Sequence, residues 1–213
     1  TLKFDSVFTQ KRYFEAYLWG AAGQLPDESR IFGHEYAPGI TAGDDIFTVM
    51  SSDIFRGSAF ALGYVNPDNL RGMNVWSDMY KVIRKANLML ARMDECQDMT
   101  ALDRRNYTGY IHFLRGYAYY HILMTCGPAI LVGDEIFESN LDGPAYNTYR
   151  ATYDETVEYI CSELETAAAY LPLKASIAQF ERPTKGAAYA LIARLRLHAA
   201  SPLFNGTSTA RLY

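Results

Sequence analysis

Residues 107–121 read Tyr107-Thr-Gly109-Tyr-Ile111-His-Phe113-Leu114-Arg115-Gly116-Tyr117-Ala118-Tyr-Tyr120-His121, and the spacing of their apolar side chains decides the fold class. Tyr107, Ile111, Leu114, Ala118 and His121 recur at intervals of four, three, four and three, which sets them along one side of an α-helix. Phe113, Tyr117, Tyr120 and Met124 widen that stripe until the second half is apolar nearly all round. A helix of that kind belongs at the centre of its domain. Gly109 and Gly116 stand seven apart on one face and let a neighbouring helix come close. Asp98 or Thr100 opens the helix, and Gly127-Pro128 ends it.

On the N-terminal side of this segment, Asn74 caps a helix with Trp76, Tyr80, Ile83, Asn87 and Leu90 on one face and Asp78, Lys81, Lys85 and Arg92 on the other. On its C-terminal side comes a loop with one short extended run, Ala129 to Val132. Thr152 and Glu155 then form a capping box, and Tyr153, Val157, Ile160, Leu164, Ala167 and Leu171 make a seam that Pro172 stops. Thr184 caps an Ala-rich helix that turns Ala187, Ala188, Leu191, Leu195 and Ala199 inward and closes at Ser201-Pro202. At the front, Ser6 caps a helix to about Gly20, striped by Phe8, Tyr13 or Phe14, Tyr17 and Leu18. From about Ala22 to Gly72 the period is lost, and seven of the 15 glycines fall there with Pro26, Pro38 and Pro67. So long a stretch without a period is uncommon and usually functional. The expected fold is all-α: antiparallel helix pairs stacked in a tetratricopeptide-like arrangement, one domain over residues 1–213, with an irregular insertion over about 22–73. No self-similarity of about 34 residues accompanies it, so the likeness is one of arrangement.

The net charge of −4 and the pI near 5.6 argue against a nucleic-acid footprint, which needs a basic face. No run of about 18 apolar residues is long enough to span a bilayer. Thr1 is followed at once by Lys3 and Asp5, so no signal peptide is read at the start. Cys96, Cys126 and Cys161 lack metal-ligand spacing and read as small core residues. His112 and His121 are nine apart, face opposite ways and share no metal, so neither metal nor cofactor is expected.

Trp76, Asn87, Arg115 and His121 lie on or beside helical stripes and read as structural. A buried Asn must be hydrogen-bonded, and an Arg among aromatic rings pairs with a carboxylate or stacks on a ring. Asp44-Asp45 and Asp27-Glu28 are the acidic pairs of the irregular region. Adjacent carboxylates in a Gly-flanked loop do not meet the separation of about 5–9 Å that glycoside hydrolysis requires. No catalytic residue is expected, and the chain reads as a binding protein rather than an enzyme. The stretch Phe55-Arg56-Gly-Ser-Ala-Phe60-Ala-Leu-Gly-Tyr64-Val-Asn66-Pro-Asp-Asn69 mixes rings with amides and charges in an irregular segment. Sugar recognition uses that mix, rings to stack on C–H faces and polar groups to pair hydroxyls. The expected ligand contacts are Asp45, Arg56, Tyr64, Asn66 and Asn69.

Four segments in order resemble the SusD/RagB family of bacterial surface glycan-binding lipoproteins. Trp76-Ser-Asp-Met-Tyr80-Lys-Val-Ile83-Arg-Lys-Ala86-Asn87 is similar to the family's Trp-x3-Tyr-x2-Ile-x2-Ala/Cys-Asn helix. Phe113-Leu-Arg115-Gly-Tyr117-Ala-Tyr119-Tyr120 with Cys126-Gly-Pro128 is similar to its Leu-Arg-Ala-Tyr-Tyr-Tyr helix and exit. Arg150 to Ile160 with Leu171-Pro172, and Arg182-Pro-Thr184 through Ser201-Pro202-Leu-Phe-Asn205-Gly206, supply the other two. Gly109-Tyr-Ile replaces the family's acidic-Ala before the Leu-Arg motif, and the exit reads Cys126-Gly-Pro128-Ala.

The resemblance implies a helical N-terminal portion of a longer protein whose C-terminal part is absent here. It implies capture of an oligosaccharide at the cell outer membrane by a surface-exposed lipoprotein, held through a lipid anchor absent from this chain. It also implies delivery to a SusC-like TonB-dependent transporter. A helical-repeat adaptor for a peptide or protein is the first rival reading, and an all-α carbohydrate-active enzyme the second.

Overall fold

The computed structural model describes residues 4–27, 57–66, 68–70, 74–137 and 148–205. Among these residues the regular elements are helical: α1 (Lys11–Ala22), α2 (Ser58–Ala61), α3 (Trp76–Arg92), α4 (Ala101–Cys126), α5 (Tyr153–Tyr170), α6 (Lys185–Ala199) and α7 (Pro202–Asn205). The one β-type pairing among them is an isolated bridge between Asn66 and Asn69.

The helices pack in sequence order, α3 on α4, α4 on α5 and α5 on α6, with α1 packed against both α3 and α4. Cross-contacts show each pair to be antiparallel. Between α3 and α4, Tyr80 meets Tyr119 and Asn87 meets Arg115. Between α5 and α6, Tyr153 meets His198 and Glu158 meets Arg196. Between α4 and α5, Gly109 faces Leu171 and Gly116 faces Glu163 and Leu164. A Cβ at Gly109 would lie 3.0 Å from the Leu171 backbone nitrogen, and one at Gly116 would lie 3.2 Å from Glu163 Cβ. The seven-residue glycine spacing therefore does set how close α5 comes to α4.

α4 is the central rod, with Tyr107, Ile111, Leu114, Ala118 and His121 all buried, together with Tyr119, Tyr120 and Ile122. Thr100 and Asp103 cap it reciprocally, and Thr152 and Glu155 do the same for α5. Each box satisfies donors at a helix start that would otherwise lack partners. Gly127, at φ +79°, takes the chain off α4 in a conformation that L side chains rarely adopt.

Three expectations are revised. The first helix does not start at Ser6: Phe4–Phe8 form a 3-10 turn and α1 begins at Lys11. Phe8 and Phe14 would point about 120° apart in one continuous helix, whereas the break lets both bury, ring against ring at 6.3 Å. The buried face of α3 centres on Met79, Val82, Ile83, Ala86, Asn87 and Met89, while Trp76, Tyr80 and Leu90 flank it half-buried. The face is rotated because α3 packs on α1 as well as α4. The run Ala129–Val132 lies in the loop after α4, held by tyrosine hydroxyls rather than a ladder, with Ile130 N donating to Tyr80 Oη at 2.8 Å and Val132 N to Tyr119 Oη at 3.1 Å. Cys96 and Cys161 are buried as expected, but Cys126, at the end of α4, is only half-buried.

Candidate ligand-binding site

The helices are tied together by one buried polar cluster. The Arg115 guanidinium donates to both carboxylate oxygens of Glu163 on α5, each at 2.7 Å. It also donates to Asn87 Oδ1 on α3 at 2.8 Å and to Asp134 Oδ1 at 2.6 Å. Asn87 Nδ2 donates to the carbonyls of Gly133 and Glu135, and His112 Nδ1 lies 3.0 Å from Glu163 Oε2. Burial alone would raise the Glu163 carboxyl, but the hydrogen bonds from His112 and Arg115 and the guanidinium charge hold it below the ordinary range. Arg115, Asn87 and Glu163 are buried against other protein groups while the Asp134 side chain is 84% exposed, so the cluster's role is to join three helices and the loop after α4. His121 is likewise internal, packed among rings at 4.5 Å from Tyr117 and 5.7 Å from Tyr120. Trp76 has one face covered by the Arg150 guanidinium at 4.4 Å, and Arg150 donates to the carbonyls of Cys126 and Pro128.

Of the expected ligand contacts, Asp45 and Arg56 lie outside the described residues. Tyr64, Asn66 and Asn69 fall in a short structured segment after α2. Gly63, at φ +69°, ends α2 with paired bonds, Gly63 N to Phe60 O and Tyr64 N to Ala59 O. That closure delivers Tyr64 to the surface with 46% of its area exposed. Asn66 Oδ1 then accepts from the backbone N–H of Asp68 at 3.0 Å and of Asn69 at 2.9 Å. Backbone bonds between Asn66 and Asn69 close the turn from both sides. This is asparagine acting as a turn former. The structure therefore brings Tyr64, Asn66 and Asn69 into one exposed turn and gives the Asn66 carbonyl oxygen a structural task.

A cleft of about 770 Å³ lies elsewhere, where sequence reasoning placed nothing. Trp19 and Leu25 line one side, Tyr110, Phe113 and Tyr117 of α4 the floor, and Phe180 and Arg182 of the α5–α6 connection the other side. Arg182 sits over Trp19 at 4.8 Å and over Tyr110 at 5.9 Å. Ile177 and Phe180 stand 99% and 84% exposed on its rim. The large apolar residues Ile177 and Phe180 in the connection were the available sequence signal. The ring faces from α1 and α4 converge only in space. Among the described residues, no group of three or more His, Cys, Asp or Glu could hold a metal ion.

A stack of antiparallel helices with an exposed turn at Asn66–Asn69 defines an all-α fold of the helix-pair type. The family model SusD-like_3, described as "Starch-binding associating with outer membrane", matches residues 42–197, and the chain belongs to that family. No curated protein matches it. Among solved structures, a SusD-like protein from Bacteroides fragilis is 22% identical with a TM-score of 0.68, over 92% of this chain and 36% of that one. A laminarin-binding SusD-like protein is 19% identical with a TM-score of 0.66, over 93% of this chain and 44% of that one. Surface glycan-binding protein A from Bacteroides thetaiotaomicron, in complex with laminarihexaose, is 18% identical with a TM-score of 0.61, over 89% of this chain and 39% of that one. These likenesses establish the shared helical fold. The chain spans less than half the length of each of these structures.

Proposed function

We propose that the protein is a non-catalytic glycan binder of the outer-membrane surface that captures an oligosaccharide and passes it to a SusC-like TonB-dependent transporter. The observation that carries this reading is the family match over residues 42–197. Two similar structures, a laminarin-binding SusD-like protein and a surface glycan-binding protein in complex with laminarihexaose, support an oligosaccharide as the ligand class. The chain would be the N-terminal helical portion of a longer lipoprotein. Among the described residues no helix is long and apolar enough to cross a membrane, and a lipid anchor would supply the attachment.

The proposed contacts are Asp45, Arg56, Tyr64, Asn66 and Asn69. The exposed Tyr64 ring would stack on a pyranose face, with the nearby side chains pairing its hydroxyls. Calorimetry against a panel of glucan and non-glucan oligosaccharides, laminarihexaose included, tests this. Tyr64→Ala should weaken binding by about 1–3 kcal/mol, the scale of one aromatic stacking contact. Unchanged affinity would remove this turn from the site. A peptide-binding adaptor is the second reading, favoured by the helix-walled cleft. Heat from a peptide panel, with none from any glycan, would select it.

A further inference from the structure

The turn that follows Tyr64 is held by a side chain. Asn66 Oδ1 accepts from the backbone N–H of Asp68 at 3.0 Å and of Asn69 at 2.9 Å. Two converging N–H donors need an acceptor, so the carboxamide is fixed with Oδ1 inside the turn and the Nδ2 donors directed away from it. The Asn69 N–H is shared with the Asn66 carbonyl at 3.0 Å, whereas the Asp68 N–H goes to Oδ1. Both lone pairs of Oδ1 are thereby committed to the backbone and do not serve a ligand hydroxyl.

A second closure lies on the other side of Tyr64. The Tyr64 N–H donates to the carbonyl of Ala59 at 2.9 Å, and Ala59 is fully buried. Only Val65 separates Tyr64 from Asn66. Tyr64 is therefore held between two backbone closures, one tied to a buried residue and the other to one exposed amide. Asn69 is exposed as well, so the fixed turn sets where its carboxamide stands relative to the Tyr64 ring. Groups whose spacing is fixed before the ligand arrives lose less freedom on binding.

We propose that Asn66 is a positioning residue of the glycan site, acting through Tyr64 and Asn69. Its contribution to affinity comes from Oδ1 holding the turn, and not from a hydroxyl paired by its own amide. This rests on the reading of the turn as part of the glycan site, and it refines the part of Asn66 there from contact to support.

Calorimetry of the full-length protein with two neutral oligosaccharides, laminarihexaose and maltohexaose, tests the proposal. Asn66→Asp keeps an acceptor at the Oδ1 position and removes the Nδ2 donors, whereas Asn66→Ala removes both. Asn66→Ala should weaken binding about three- to tenfold, and Asn66→Asp should stay within about twofold of the unsubstituted protein. Equal losses in the two variants would assign Asn66 to direct contact through Nδ2 and overturn the proposal. So would undiminished binding by Asn66→Ala while Tyr64→Ala binds weakly. If Asn66→Ala fails to fold by thermal melting, Asn66→Ser takes its place, because a serine hydroxyl holds the same turn more weakly, and its loss should fall short of that for Ala but exceed that for Asp. Undiminished binding by Tyr64→Ala, or no heat from either oligosaccharide with the unsubstituted protein, would instead sink the reading of the turn as a glycan site and this proposal with it.

Discussion

α4 and α6 are neighbours-but-one in the same stack and similarly rich in apolar residues, yet α4 buries 13 of its 26 residues and α6 only three of its 15. The difference lies in what each helix meets. α4 has α3 on one side and α5 on the other, and its central charge, Arg115, is paired with Glu163, Asn87 and Asp134. α6 has α5 as its main neighbour, touching α4 through Arg194 over Tyr120 and α7 through His198 against Phe204, and its cation Arg196 pairs with the exposed Glu158. Apolar composition makes a helix able to be buried, and its neighbours decide whether it is.

The sharpest way to break that comparison is to remove the central charge. Arg115→Ala leaves Glu163 buried without its bidentate partner and Asn87 without its donor, and should cost about 3–5 kcal/mol in urea unfolding. A loss below about 1 kcal/mol would mean that the cluster is solvated and does not join the helices. The next effect is steric. Gly116→Ala drives a methyl to 3.2 Å from Glu163 Cβ and should cost about 1–3 kcal/mol as overpacking. Gly186→Ala puts the same methyl on the outward side of α6, where the nearest atom is Thr184 Oγ1 at 3.7 Å. It should be neutral or stabilising by up to about 1 kcal/mol. Equal losses for both would erase the distinction between the two helices.

A smaller effect sharpens the charge argument through pH. The Glu163 carboxyl is held below its ordinary value of 4.5 in the folded state. Its contribution to stability is therefore fully present above that value and is lost as pH falls through the lower folded one. Thermal melts of the wild type should steepen their decline below pH 4.5, and Glu163→Gln should flatten that decline while lowering stability at neutral pH. Parallel acid limbs would show that Glu163 is not a source of acid lability.

The parts of the fold legible in the sequence are those whose cause is local. The seams of α4 and α5 and the Thr152-Glu155 box need only intervals of three and four, and each lies where the pattern puts it. The roles of Asn87 and Arg115 were legible as structural, because a polar group on an apolar stripe must be satisfied within the protein. Their partners were not, since Gly133, Asp134 and Glu163 reach them from far along the chain. The start of α1 was misplaced because the gain from breaking it, burial of both Phe8 and Phe14, comes from tertiary packing. Trp76 was placed on the apolar face of α3 and lies half-buried at its margin, because the second neighbour that rotates α3 is α1. In the candidate site, Asn66 and Asn69 were read as ligand contacts in an irregular segment, and the hydrogen-bonded turn that joins them was not foreseen. The cleft was missed because Trp19, Tyr110 and Arg182 come from three elements distant in sequence.

The central claim is that the stacked helices hold the molecule while the irregular insertion recognises the ligand. Hydrogen exchange of the protein with and without a bound oligosaccharide tests it most directly. The account predicts that the amides of α4 exchange slowest in both states. It also predicts that ligand-induced protection concentrates in residues 57–70 and leaves α4 unchanged. Protection gathered instead on α1, α4 and residues 177–183 around the cleft, with 57–70 unaffected, would contradict it.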